Sequence, residues 1–158
     1  RVLFRSLVRD AIYELILKKD VRHFHLLAAQ TYEKLFRKNL NDYYADIAYN
    51  YEKAEKEEAA VQYLEKAADY EKELYHIRSA LNYYDKIIHH ISTKKKYASL
   101  LQKTILDKIE SLLISGETQE VNSLFFQLRK NNFVNQKFRD RYFYLFARYY
   151  TLISDYKK

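Results

Sequence analysis

A chain of 158 residues with one glycine and no proline has almost nothing with which to turn a strand back on itself. Tight β-turns draw on the left-handed freedom of glycine and the fixed φ of proline. Long helices joined by short polar loops are therefore expected. The same shortage closes off functions. A single glycine cannot build a phosphate-binding loop or a dinucleotide fingerprint. The absence of cysteine excludes disulfides, thiolate nucleophiles and Cys-based zinc sites, and it fits a cytoplasmic location. With 48% apolar and 31% charged residues, the composition is globular, and the length suffices for one domain with a core. No 18-residue apolar stretch is present, so no transmembrane helix is expected. Arg5, Arg9 and Asp10 leave no room for a secretory h-region.

The net charge of +7 is unevenly spread. Residues 1–40 hold nine Lys/Arg against four Asp/Glu, whereas residues 41–75 hold four against ten. Residues 76–104 turn basic again, with six against one. Alternating blocks suit stacked helices with salt-bridged neighbours. A nucleic-acid binder would show one continuous basic stripe. Nucleic acid is accordingly not the expected partner, and a basic helical-repeat RNA-binding module is kept as the alternative.

Apolar spacing predicts eight helices. The first covers about residues 3–17, with Leu3, Leu7, Val8, Ile12, Leu15 and Ile16 on one side. Lys18-Lys19-Asp20 reads as a loop. The second helix, about 21–37, is expected to bury Phe24, Leu27, Ala28, Thr31 and Leu35, with Tyr32 a further candidate. The third covers about 42–53 (Tyr44, Ile47, Ala48, Tyr51), the fourth 57–74 (Ala60, Leu64, Ala67, Ala68) and the fifth 77–91 (Ala80, Leu81, Tyr84, Ile87, Ile88). The sixth covers about 97–114 (Leu101, Ile105, Ile109, Leu112), and Gly116 is its natural C-cap. The seventh covers about 118–130 (Val121, Leu124, Phe125, Leu128), and the aromatic-rich eighth about 136–153.

Ala48, Tyr51, Ala60, Leu64 and Ala67 form a recurring order of small, aromatic, small, bulky and small residues. Small residues let two antiparallel helices approach closely, and the aromatic fills the gap beside the turn. The order resembles a tetratricopeptide repeat. Ile105, Ile109, Leu112, Gly116, Val121, Phe125 and Leu128 match a second time, and Ala80, Tyr84 and Ile87 match in part. The family's Trp and closing Pro are missing, so the repeats are divergent. The stretch Leu7–Leu15, followed by Arg22, His25, Ala28, Ala29 and Glu33 and then by the repeat-like segments to Ile88, is similar to a known junction. That junction follows the ATPase module of signal-transduction (STAND-type) ATPases and of soluble-type class III adenylyl cyclases.

The resemblance implies an all-α, right-handed tetratricopeptide-like solenoid of antiparallel helix pairs. Residues 1–39 would be a helical junction ending a winged-helix-like segment, and residues 40–158 degenerate repeats cut short at the C-terminus. It implies a regulatory arm of a larger nucleotide-dependent protein, with no catalysis of its own. The expected partners are a protein segment or neighbouring domains of the same chain. A binding groove is expected along the first helix of each pair, at Tyr44, Asn50, Lys103, Asp107 and Lys108. A terminal stacking face is expected at Tyr142, Phe146, Tyr149 and Tyr150, through which the chain would self-associate.

Residues that could carry chemistry do not assemble on paper. His23 and His25 are two apart and His89 and His90 adjacent, whereas a helical metal pair needs i, i+4. The carboxylates Glu52, Glu55, Glu57 and Glu58 straddle a solvated bend among lysines. No nucleophile, base and oxyanion donor come together. No catalytic residue, cofactor or metal is expected. His25 is expected to pack and hydrogen-bond at the junction.

Overall fold

The computed structural model describes residues 18–130 and 135–155, and all regular structure among them is helical. α1 spans Lys18–Leu35, α2 Tyr44–Lys53, α3 Glu57–Glu73, α4 Ile77–Ile91, α5 Ala98–Ser115, α6 Val121–Lys130 and α7 Gln136–Asp155. Short 3-10 turns at Leu40–Tyr43 and Lys95–Tyr97 lead into α2 and α5. The helix expected over residues 3–17 lies outside the described residues. Lys18-Lys19-Asp20, expected as a loop, is helical and opens α1. No described helix is long and apolar enough to cross a membrane.

Three helices end in one way, and this replaces the missing glycines. At the end of α2 the Lys56 N–H donates to the Tyr51 carbonyl at 2.9 Å and the Glu55 N–H to that of Glu52 at 3.0 Å. At the end of α3, His76 donates to Glu71 at 2.9 Å and Tyr75 to Lys72 at 3.0 Å. At the end of α5, Glu117 donates to Leu112 at 3.0 Å. The wide bond recurs at all three ends and the narrow bond at the ends of α2 and α3, the pattern of Schellman caps, which need a left-handed residue just past the helix. Glu55 (φ 55°), Tyr75 (φ 60°) and Gly116 (φ 78°) fill that position. The following turn is also shared. Lys56 accepts from Ala60 at 2.9 Å, His76 accepts from Ala80 at 3.1 Å, and both alanines are wholly buried. The set Tyr51, Glu55, Lys56, Ala60 thus recurs as Glu71, Tyr75, His76, Ala80.

A side chain in the left-handed region costs about 1–3 kcal/mol. Tyr75→Gly should therefore stabilise the chain by about 1 kcal/mol, after allowing for the looser unfolded chain. Gly116→Ala should cost about as much. A Cβ at Gly116 would meet nothing within 4 Å, so its penalty is purely that of the backbone. Thermal melts of the two variants should move in opposite directions. Equal or parallel shifts would mean that the caps do not hold these turns.

Two compact units divide within α3, one ending at Tyr63 and the other starting at Leu64. The boundary expected at residue 39 marks a change of sequence resemblance, which is a different division from this one. In the first unit α1 packs on α2, but not through the stripe expected for it. Phe24, Leu27, Thr31 and Leu35 are exposed, Leu35 at 72%. The face turned inward carries His25, Ala29, Tyr32 and Phe36. Phe36 stacks on Tyr43 at 4.0 Å between ring centroids, and Tyr32 lies 5.5 Å from the same ring. The His25 ring meets Tyr49 edge-on at 5.9 Å. The partner surface is aromatic and polar. It therefore selects the aromatic face of α1 over the aliphatic one, and the wholly buried Ala29 permits close approach.

The same unit buries two phenols against one carboxylate. The Tyr51 hydroxyl donates to Glu33 Oε1 at 2.9 Å. Desolvation, helped by Glu33, pushes the Tyr51 pKa up to about 12, and Tyr63 is raised by the same two causes. A pKa raised on folding contributes stability below the ordinary tyrosine value of about 10 that is lost as pH climbs through the folded value. Stability should hold to about pH 10 and fall between pH 10 and 12, with these tyrosines ionising only as the helices unfold. Tyrosinate absorbance recorded with circular dichroism checks this. Full ionisation of all 17 tyrosines in a still-helical chain would contradict it.

In the second unit α5 is the central helix, packed against α4, α6 and α7. Leu101, Ile105, Ile109 and Leu112 are buried as the spacing predicts, and Leu106 and Leu113 join them. Val121, Leu124, Phe125 and Leu128 of α6 are likewise buried. On α7 the buried residues are Phe138, Tyr142, Leu145 and Tyr149.

Candidate functional site

Burial all round obliges α5 to bury polar side chains as well: Gln102, Thr104, Asp107, Lys108 and Ser111. A buried charge is tolerated only when paired. Lys103 reaches Glu65 at 2.9 Å, Asp107 at 3.7 Å and Asp69 at 3.9 Å. Arg141 of α7 bridges Asp107 at 2.6 Å and Glu110 at 2.7 Å. Lys72 of α3 meets the same Glu110 oxygen at 2.6 Å. One chain of charges therefore ties α3, α5 and α7 together. On another side of α5, Lys108 pairs with Asp85 at 2.7 Å and Glu120 at 3.0 Å.

The electrostatics follow from that layout. Burial pushes the Glu110 carboxyl up, but the hydrogen bonds and charges of Lys72 and Arg141 outweigh it and hold it below the usual range. Asp69 goes the other way. Desolvation raises it, and Lys103 pulls it back while Asp107 and Glu65 push it further up. The Tyr84 phenol is raised by burial and then by the charges of Asp107 and Asp69. The Tyr84 and Ser111 hydroxyls are both buried, and Ser111 as a hydrogen-bonding neighbour of the phenol offsets part of that rise.

Beside the Lys72–Glu110 pair, the end of α3, the start of α4 and the end of α5 enclose a cleft of about 600 Å³. Asp69, Lys72, Glu73, Tyr75, Ile77 and Ile114 line it. Tyr75 is 82% exposed and Ile114 44%. The left-handed cap holds the Tyr75 ring in solvent at the mouth of this cleft. A second, smaller cleft of about 470 Å³ lies where Phe125 and Phe126 of α6 face Phe146 and Tyr150 of α7. There Arg129 lies over the Phe146 ring at 5.1 Å, and its Nε donates to the Tyr142 hydroxyl at 2.9 Å.

The five residues expected to line a groove are placed as follows. In the first unit Tyr44 lies 6.0 Å from the Tyr63 ring. The Asn50 Oδ1 accepts from His25 Nδ1 at 2.8 Å, while its own Nδ2 donates to the Asp46 carbonyl at 2.8 Å. In the second unit Lys103 and Asp107 join one ion-pair chain and Lys108 another. Asp107 is 6% exposed and Lys108 8%. Their charges are engaged with neighbouring helices. Of the terminal set, Tyr142 and Tyr149 are buried against Phe125, Phe146 is half-buried and Tyr150 is exposed. The outward aromatics of α7 are Phe143, Tyr144 and Tyr150.

Sequence reasoning missed the cleft. Its signal was present as Leu74-Tyr75 at a helix end with no glycine for the cap. Among the described residues no group of three His, Asp or Glu side chains could hold a metal ion. No protein-family model matches the chain, and no curated protein or solved structure matches it at a significant level.

Proposed function

We propose that this chain is a non-catalytic helical-repeat scaffold that binds a protein segment. The cleft at the Tyr75 turn carries this reading. It joins two isoleucines and an exposed aromatic ring to charged residues, within the volume range of about 300–1,000 Å³ typical of binding pockets. Strained residues persist where the surroundings over-determine them, and they cluster at binding sites. The recurrence of one cap and one alanine-lined turn from residues 51–60 to residues 71–80 supports a right-handed solenoid of antiparallel, tetratricopeptide-like pairs, in which nearest-neighbour stacking supplies stability. By resemblance, the chain would be the regulatory arm of a larger nucleotide-dependent ATPase or adenylyl cyclase. It would pass the state of that module to a partner segment or a neighbouring domain.

Random 12-residue peptides displayed on phage and selected against the full chain test the reading. A single enriched consensus is expected, with its binding lost in Ile114→Asp. Absence of any consensus, together with steeply salt-dependent binding of single-stranded RNA, would replace the scaffold by the RNA-binding module.

A further inference from the structure

We infer that the cleft lined by Tyr75, Ile77 and Ile114 takes a basic peptide segment, one bulky apolar side chain entering between the isoleucines while flanking Lys or Arg side chains meet Asp69 and Glu73. The inference deepens the scaffold reading and rests on it.

Charge complementarity carries it. Of the three charged residues lining the cleft, Lys72 is already taken. Its ammonium contacts Glu110 at 2.6 Å, where Arg141 also binds. Glu73 is exposed and has no ion pair among the described residues. Asp69 is exposed too, and the nearest cation, Lys103, stands 3.9 Å away and is held more closely by Glu65 at 2.9 Å. Across Glu65, Asp69, Lys72, Glu73, Lys103, Asp107, Glu110 and Arg141, five carboxylates face three cations. The charges around the cleft therefore sum to a negative balance. An arriving cation gains Glu73 and an Asp69 that Lys103 reaches only at 3.9 Å, whereas an acidic segment would meet repulsion that Lys72 is not free to offset.

The apolar part sets the second requirement. Ile114 and Tyr75 are large apolar groups left in water. Burying a Leu, Ile or Phe between them removes apolar surface on both sides, and a tyrosine beside a Lys or Arg adds a cation–π contact. A purely polar basic stretch would leave that surface wet.

Peptides selected from the 12-residue display library are synthesised with a fluorescent label and titrated by anisotropy against the full chain. The expected consensus carries one bulky apolar residue flanked by at least two Lys or Arg. Affinity should fall about tenfold or more in Asp69→Lys and in Glu73→Lys, and severalfold between about 50 and 300 mM salt as surface charge is screened. Glu73→Gln should fall less than Glu73→Lys. Glu73 is exposed, so Glu73→Lys should melt like the parent; Asp69→Lys also removes a Lys103 contact, so its affinity is read well below its own melting temperature. A consensus that is acidic or neutral, or one indifferent to both reversals, overturns the basic-segment assignment and leaves the scaffold standing. No consensus at all overturns both.

Discussion

Phe125→Ala should lower stability by about 3–5 kcal/mol, as truncating a fully buried aromatic does. Phe125 is 1% exposed and is the ring on which α6 and α7 meet. Tyr142 and Phe146 pack edge-on against it at 5.2 Å each, and Tyr149 lies 6.0 Å away. Removing it opens a cavity that three rings of α7 would have to collapse into. They cannot all do so, because Tyr142 is also held by Arg129 at 2.9 Å. Phe126 is the internal control. It is the next residue, yet it is 68% exposed, so Phe126→Ala should change stability by no more than about 0.5 kcal/mol. Urea denaturation separates the two, a fallen midpoint at constant slope marking a true stability loss. Similar midpoints for both variants would mean that α6 does not face α7 through Phe125.

Arg141→Ala should cost about 1–3 kcal/mol, because it takes the closest cation from the buried Asp107 although Arg141 itself is about a third exposed. Arg141 is the shared cation of Asp107 and Glu110. Without it the buried Asp107 keeps only Lys103, at 3.7 Å, and that ammonium is held more tightly by Glu65. The pH dependence should change as well. Glu110 has a folded pKa below its unfolded value, so it contributes stability above that unfolded value, which is lost as pH falls through the folded one. Removing Arg141 removes part of the downward shift, so the variant should lose less on acidification than the parent. Replacing the pair by Asp107→Leu with Arg141→Met should recover much of the loss, because apolar groups of similar size need no desolvation of charge. A double variant no better than Arg141→Ala would show that the network holds α7 in some way other than by pairing.

Helix content was legible from punctuation and spacing, and the faces of α4, α5 and α6 were legible because one apolar stripe met one core. Tyr84, Ile105 and Phe125 all lie where the period places them. The face of α1 was not, because aliphatic residues were weighed above aromatic ones. Phe24, Leu27 and Leu35 spell the cleaner stripe, but α2 and the 3-10 turn before it offer Tyr43, Tyr49 and Asn50, which suit His25, Tyr32 and Phe36. The partners of the charges on α5 were hidden for a related reason. Lys103, Asp107 and Lys108 look solvated when a helix is read alone. A helix enclosed by neighbours buries its polar face too, and each charge then finds a partner on another helix. The cleft was invisible because it belongs to no single helix. It forms where a turn without glycine brings Tyr75 beside Ile77 and the end of α5 supplies Ile114. Tyr75 also joins stability to function. Tyr75→Gly should gain stability by relieving the cap and lose affinity by removing the ring, a trade expected where strain is kept for binding.

Backbone amide chemical-shift mapping of the full chain with a display-selected peptide tests the central claim most directly. The account predicts that perturbations cluster from Asp69 to Ile77 and at Ile114. Perturbations confined to the aromatic cleft of α6 and α7, or spread along the basic residues of α7 with single-stranded RNA and absent with peptide, would contradict it.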